Sequence, residues 1–368
     1  MAQAMISLRN VSKRFPGARG PAVTDLSLEV PEGETVVLVG PSGCGKTTTM
    51  KMINRLIEPT SGTIEVDGTD IMAQDPVALR RGIGYVIQSI GLMPHRTVAQ
   101  NIATVPRLEG WDPARTEARV HELAGMLHLD EELLARYPGE LSGGQRQRVG
   151  VARALAVDPP VMLMDEPFAA VDPIIRASLQ DQFLDIQDRL RKTIVFVTHD
   201  IDEAIKMADR IAILNIGGVL EQFAAPGQIL REPAGEFVRS FVGAERGLKR
   251  LALIRVSDIE VEEGPVVSPD DTPEKARSVM REFGFDWASV IRDGELLGWV
   301  DEAMVSGVER AGDAAPRRFS AYVRASDSLR QALDSIVTSR TNVAVVVSEG
   351  QRYLGILTVE RVSREIVS

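Results

Sequence analysis

The stretch TVVLVGPSGCGKTTTM, residues 35–50, decides the fold. Its first five residues are an apolar run rich in β-branched side chains, the composition of a strand buried on both faces. The run stops at Gly40, a glycine-rich turn follows, and Met50, Ile53 and Ile57 then recur at helical spacing. Strand, turn and helix in this order set GPSGCGKT, residues 40–47, in the context that a GxxxxGK[ST] phosphate loop requires. Glycines let backbone N–H groups close around phosphate oxygens, and the helix N-terminus adds positive potential. Lys46 offers a point charge to the β and γ phosphates, and the Thr47 hydroxyl suits Mg²⁺. The loop residues Gly40, Ser42, Gly43, Cys44, Gly45, Lys46, Thr47 and Thr48 are therefore expected to bind a nucleotide, with Cys44 as small filler and not as a nucleophile.

Working outward, buried-strand runs recur at VMLMD (161–165) and TIVFVTH (193–199), separated by helical stretches. This is the pattern of an α/β domain with a largely parallel sheet. Residues 89–158 read as a mostly helical insert, with Val120, Leu123, Ala124 and Leu127 marking one helix face. RIAIL and VLEQF, joined through Asn215 to Gly218, read as a hairpin. VMLMDE puts Asp165 and Glu166 at a strand end, where the first reaches Mg²⁺ through water and the second acts as general base toward the attacking water.

Composition narrows the classes. The chain has 368 residues, enough for two or three domains, and its 44% hydrophobic and 26% charged content is that of a globular protein. Lys plus Arg total 42 against 52 Asp plus Glu, a formal charge of -10, which argues against a nucleic acid polymer as partner. A single cysteine excludes an intrachain disulfide and a cysteine zinc site, and fits a reducing compartment. The opening MAQAMISLRNVSKRF lacks the apolar core of a secretion signal, and no apolar run approaches the ~20 residues that span a bilayer. Any membrane role is expected to come through a partner.

Past Gly243 the texture changes. VSPDDTPEKA (267–276) finds its counterpart in VRASDSLRQA (323–332), and ELLGWVDEAM (295–304) in RYLGILTVER (352–361). Each copy holds a helix followed by two strands, a supersecondary unit used twice, and one copy alone buries too little to stand. The expected division is 1–243 for the nucleotide-binding domain, 244–256 as linker, and 257–312 and 313–368 for the repeats.

LSGGQ at residues 141–145, followed by the helix RQRVGVARALA, is the point at which the chain resembles the ATP-binding cassette (ABC) ATPases, over residues ~5–243. The resemblance implies a P-loop NTPase fold with a helical subdomain. It implies that Gln88 senses Mg²⁺ and the transport partner, that His199 touches the γ-phosphate, and that Asp172 communicates between two sites. It places Phe15 as the aromatic that stacks on adenine. Glu166, His199 and Lys46 are the expected catalytic residues, and Thr47, Gln88 and Asp165 the expected Mg²⁺ ligands. Because LSGGQ opens a helix, Ser142 and the N–H groups of Gly143 and Gly144, with Gln145 beside them, are anion ligands that in this family serve the opposite subunit. A chain with one loop and one signature is expected to act as a head-to-tail dimer of two copies.

The short spacing from loop to signature and the single cassette favour a transporter over a soluble cassette acting on DNA or ribosomes. MDEPFAAVDPIIR and QSIGLMPHRTVAQNIATVPRLEGW resemble the quaternary-amine importers, with Ala169 where those carry glycine. That implies osmoprotectant uptake with permease subunits, indirectly a substrate-binding protein, and a place at the cytoplasmic face of the membrane. Residues Ile90 to His95 would line the permease groove. An amino-acid or methionine type importer is the alternative. The terminal repeat resembles a tandem cystathionine β-synthase (CBS) pair, an α+β module that tunes transport with ionic strength or an adenine nucleotide. Nucleotide-binding copies carry Thr or Ser and Asp after the LG strand. Here Asp301 and Met304 stand at those places in one copy, and Thr358 and Arg361 in the other; Arg361 reads as a phosphate contact or a surface charge.

Overall fold

The computed structural model describes residues 4–169, 171–319 and 322–367, which fall into two compact units, Met1–Val242 and Gly243–Ser368. The strands of the first unit are β1 (Ala4–Lys13), β2 (Val23–Pro31), β3 (Thr35–Val39), β4 (Ser61–Val66), β5 (Thr69–Asp70), β6 (Ile83–Val86), β7 (Val161–Asp165), β8 (Thr193–Val197), β9 (Arg210–Asn215) and β10 (Val219–Ala224). Its helices are α1 (Lys46–Ile53), α2 (Pro76–Arg81), α3 (Val98–Ile102), α4 (Thr104–Leu108), α5 (Pro113–Met126), α6 (Gly143–Leu155), α7 (Pro173–Leu190), α8 (Ile201–Met207), α9 (Pro226–Arg231) and α10 (Glu236–Val242).

The central sheet runs β10-β9-β3-β8-β7-β6, parallel throughout except for β10, which closes the edge as a hairpin with β9. Every residue of β3, β7 and β8 is buried, which is why these strands read as unbroken apolar runs. Alternation assigns their side chains to opposite faces. Val37 and Val39 join the core beneath α6 and α7, where Phe168 packs on Phe183 and Phe196 at ring-centroid distances of 6.3 and 6.0 Å. Val36 and Leu38 join the core shared with Met50, Met52 and Ile53 of α1 and with the small antiparallel sheet β2-β1-β4-β5. Helices α3 to α6 lie in the segment between β6 and β7 and make up half of it.

The second unit carries α11 (Arg246–Leu251), β11 (Val266–Val267), α12 (Pro273–Phe283), β12 (Trp287–Arg292), β13 (Glu295–Asp301), β14 (Val323–Arg324), α13 (Leu329–Thr338), β15 (Val343–Val347), β16 (Tyr353–Thr358) and α14 (Val359–Val367). The two copies have one topology: β11 pairs parallel with β12, which pairs antiparallel with β13, and β14, β15 and β16 repeat that order. Side-chain caps start both helices, Thr272 on α12 and Ser328 with Gln331 on α13. Trp287 and Trp299 of one copy share a core with Val343, Val345, Val347 and Ile356 of the other, so the repeats pack as a pair.

The expected linker 244–256 is corrected here. It contains α11, and its Leu251 and Val256 are fully buried with Leu329, Ala332 and Ile336 of the second repeat. The chain reaches that repeat first: Val256 N donates to Asp327 O (2.8 Å), and Glu262 and Ile356 exchange backbone hydrogen bonds of 3.0 and 2.9 Å. Burial of apolar side chains against a partner far along the chain turns a segment without local periodicity into core.

Candidate functional site

The phosphate loop is shaped by close backbone approach. A Cβ at Gly45, where φ is +101°, would lie 2.5 Å from Ala22 O, and one at Gly40 would lie 2.1 Å from Leu214 O, so neither position accepts a side chain. Helix α1 begins at Lys46 without a side-chain cap, leaving its first N–H groups directed out of the helix end. Ser42 and Gly43 are exposed at the loop tip, and Thr47 and Thr48 are half-buried. Cys44 is fully buried in the core beneath the loop, with its Sγ 3.7 Å from Lys46 Nζ, so only its backbone belongs to the loop surface.

Lys46 is 6% exposed, and its ammonium donates to the carbonyls of Gly40 (2.7 Å) and Pro41 (3.1 Å). Among the described residues no carboxylate lies within ion-pair distance of it. A buried cation met by two carbonyls and a thiol sulfur suits a polyanionic ligand. At the end of β7, Asp165 Oδ1 accepts from the Thr47 hydroxyl (3.1 Å). Burial pushes the Asp165 carboxyl above its ordinary pKa, opposed by the Thr47 hydrogen bond, raised further by Glu166, and opposed again by Lys51 and Lys46. Among the described residues no group of three His, Cys, Asp or Glu side chains could hold a metal ion. One buried carboxylate beside one hydroxyl is instead the sparse protein contribution that Mg²⁺ takes when phosphates and water complete its shell.

Glu166 is the hub of the site. Its Oε2 accepts from Gln88 Nε2 (3.0 Å), and its Oε1 lies 3.3 Å from His199 Nδ1. Three chain segments, the ends of β6, β7 and β8, thus converge on one carboxylate. Its backbone sits at φ +45°, a left-handed conformation that costs a side-chain-bearing residue about 1–2 kcal/mol and is held by the Glu166 N to Val197 O bond of 2.9 Å. Phe15 is 37% exposed with Lys13 Nζ 5.3 Å from its ring centroid, which makes it a surface platform and removes it from the core.

The signature residues do not join this cluster within one chain. Ser142 Oγ accepts from Gln145 N (3.2 Å) while Gln145 Oε1 accepts from Ser142 N (2.8 Å), a capping box that opens α6 with Gly143 and Gly144. Among the described residues none of the four bonds to the phosphate loop. Asp172 is exposed ahead of α7, and its carbonyl accepts from Arg176 N (2.8 Å). In the second unit, Thr358 donates to Glu262 Oε2 (2.8 Å), and Arg361 donates to Glu365 (3.0 Å) and to Glu260 O (3.2 Å). Asp301 Oδ1 accepts from Met304 N (2.8 Å).

Sequence reasoning missed two supports. Arg153, on α6, donates to the carbonyls of Ile90 (2.8 Å) and Gly91 (2.5 Å), tying the segment after Gln88 to the signature helix; burial lowers its pKa. Glu203, on α8, is a carboxylate only 8% exposed. An acidic side chain among Ala204, Ile205 and Met207 is the one signal that marked it.

A family model described as ABC transporter matches residues 23–169, and one described as CBS domain matches 256–305 and 311–368. The chain is similar to the osmoprotectant import ATP-binding protein OsmV of Salmonella typhimurium, 48% identical over 357 residues that cover 95% of this chain and 93% of the relative. It is also 48% identical, over 361 residues, to the glycine betaine/carnitine/choline transport ATP-binding protein OpuCA of Bacillus subtilis, covering 96% of this chain and 94% of that one. Among solved structures, a dimeric ATP-binding cassette in a post-hydrolysis state with ADP and Pi superposes with a TM-score of 0.55 at 33% identity, covering 60% of this chain and 99% of that chain. With the parallel sheet, the phosphate loop and the signature helix in place, the chain belongs to the ABC transporter family, as the ATP-binding and ATP-hydrolysing subunit of an import system that ends in a CBS pair.

Proposed function

We propose that this subunit drives uptake of quaternary-amine osmoprotectants such as glycine betaine, choline, carnitine and proline betaine, and that it works at the cytoplasmic face of a membrane permease fed by a substrate-binding protein. The observation that carries the chemistry is the Glu166 carboxylate held between Gln88 and His199 beside the Thr47–Asp165 pair. Adenine would stack on Phe15, the loop N–H groups and Lys46 would hold the phosphates, and Thr47, Gln88 and Asp165 would hold Mg²⁺, which when bound would supply neutralisation of phosphate charge. Glu166 takes a proton from a water aligned with the γ-phosphoryl group as the water oxygen bonds to γ-phosphorus and the bond from γ-phosphorus to the bridging oxygen breaks; ADP and phosphate leave, and Glu166 gives its proton up to the phosphate or to solvent. His199 donates to the γ-phosphate from the side of Glu166.

The capping box supports a two-copy site. Ser142, Gly143, Gly144 and Gln145 form a preorganised helix end whose uncapped N–H groups favour an anion, and among the described residues none of the four bonds to the phosphate loop of the same chain. A second copy in head-to-tail register completes each site, with Asp172 at the seam. The substrate class rests on the names of the relatives, and no described helix is long and apolar enough to cross a membrane, so a permease must supply the path. In the CBS pair, Thr358 and Arg361 already bond to Glu262, Glu260 and Glu365, which supports a dimerisation or electrostatic role over ribose and phosphate contact by an adenine nucleotide.

The test is reconstitution with the permease in vesicles. ATP hydrolysis should rise when the binding protein is loaded with glycine betaine or choline, and stay flat with methionine. Stimulation by methionine alone would replace the substrate assignment.

A further inference from the structure

A second buried network lies behind the site. Glu203 Oε1 accepts from Gln180 Nε2 of α7 (2.9 Å), and Gln180 is itself 7% exposed. Thr198, the residue before His199, is 1% exposed, and its hydroxyl accepts from the N–H of Asp200 (3.1 Å), the residue that caps α8. Burial pushes the Glu203 carboxyl up; the nearby Thr198 hydroxyl and the Gln180 hydrogen bond oppose this, Asp200 adds to it, and the positive charge of Arg176 opposes it. Arg176 donates through Nη2 to the carbonyl of Val171 (3.0 Å), the residue before Asp172. Asp200 Oδ1 caps α8 through the N–H groups of Asp202 (2.8 Å) and Glu203 (3.3 Å), so the helix start that presents Glu203 is fixed.

From this arrangement we infer that Glu203 is a positioning residue for hydrolysis, joining the segment that ends in His199 to the segment that ends in Asp172 so that the two move as one body. A buried carboxylate is costly unless every lone pair is used, and a stability role alone would be served better by an apolar side chain at this helix position. Here its partner Gln180 lies on α7, the helix that follows Asp172, while Glu203 lies on α8, the helix that follows His199, which gives the cost a purpose. The inference rests on the assignment of His199 and Glu166 to hydrolysis.

The test is steady-state ATPase kinetics of the full chain with Mg-ATP, on Glu203→Gln, Gln180→Ala, His199→Ala and the double variant of Glu203→Gln with His199→Ala. Glu203→Gln is expected to lower kcat by about 5- to 10-fold with KM for ATP within about 2-fold, because the phosphate loop is untouched. Gln180→Ala, which leaves the carboxylate in place, is expected to lower kcat by about 3-fold. In the His199→Ala background Glu203→Gln should add no further loss, since residues that act through one group are not additive. A folded Glu203→Gln with unchanged kcat, or losses that multiply in the double variant, would overturn the inference while leaving the site reading intact. If Glu203→Gln does not fold, Gln180→Ala with wild-type kcat overturns it. An unchanged His199→Ala would overturn the site reading and this inference with it.

Discussion

Glu166→Gln isolates the proton-accepting role of one side chain. Glutamine keeps the length of glutamate, and its amide oxygen still accepts from Gln88 Nε2, now at 3.0 Å from the carboxylate. Its amide N–H₂ faces His199 Nδ1, at 3.3 Å from Oε1, and is accommodated when that nitrogen is the ring acceptor. The left-handed backbone at φ +45° is as costly for glutamine as for glutamate, so the unfolding midpoint should barely move. What is lost is the basic oxygen. A positioned general base contributes about 10²- to 10⁴-fold, or roughly 3–5 kcal/mol of barrier. Phosphate release measured on the purified full chain should therefore fall by that factor while binding of a fluorescent ATP analogue is retained. In saturating Mg-ATP the variant should elute as a dimer in size-exclusion chromatography, since nucleotide bridges the copies and is not consumed. Turnover within about threefold of the parent, in protein that binds ATP normally, refutes the role; elution as a monomer in solution and in the permease assembly refutes the shared site.

Phe15→Ala should raise KM for ATP by about 5- to 10-fold with little change in kcat or melting temperature, because the ring is partly exposed and stacking is worth about 1–1.5 kcal/mol; steady-state kinetics decide it. Arg153→Ala should cost about 1–2 kcal/mol in denaturant unfolding, because the part-buried carbonyl of Ile90 loses its charged donor while the exposed Gly91 carbonyl turns to water. Asp271→Asn should destabilise the second unit by about 1 kcal/mol. Burial raises that carboxyl, but hydrogen bonds from Lys275 and Ser268 N and the Lys275 charge outweigh it, so the folded pKa lies below the unfolded one. Its contribution is present above the usual carboxylate range and lost as pH falls through the folded value, and melting curves of parent and variant should converge in acid.

The phosphate loop was legible because its chemistry is local: glycines, lysine and threonine sit within eight consecutive residues, and the flanking β-branched run and helical spacing give the context. The parallel sheet was legible because strands buried on both faces leave no polar alternation. The supports were hidden for the opposite reason. Arg153 and the carbonyls it holds are 62 and 63 residues apart, and Glu203 meets Gln180 across two helices. The segment 244–256 read as linker because α11 is only six residues long, too short to announce itself by periodicity. Only the second repeat, far downstream, gives Leu251 and Val256 a surface to bury against.

Lys46 couples nucleotide binding to stability. Its ammonium is taken out of water and met by two carbonyl oxygens and the Cys44 sulfur, so a bound triphosphate would recover part of the cost of desolvating it. Ligand at about a hundred times its dissociation constant adds roughly 2.7 kcal/mol to the unfolding free energy. A cell whose energy supply collapses would thus lose the fuel and, with it, part of the endurance of the machine that burns it.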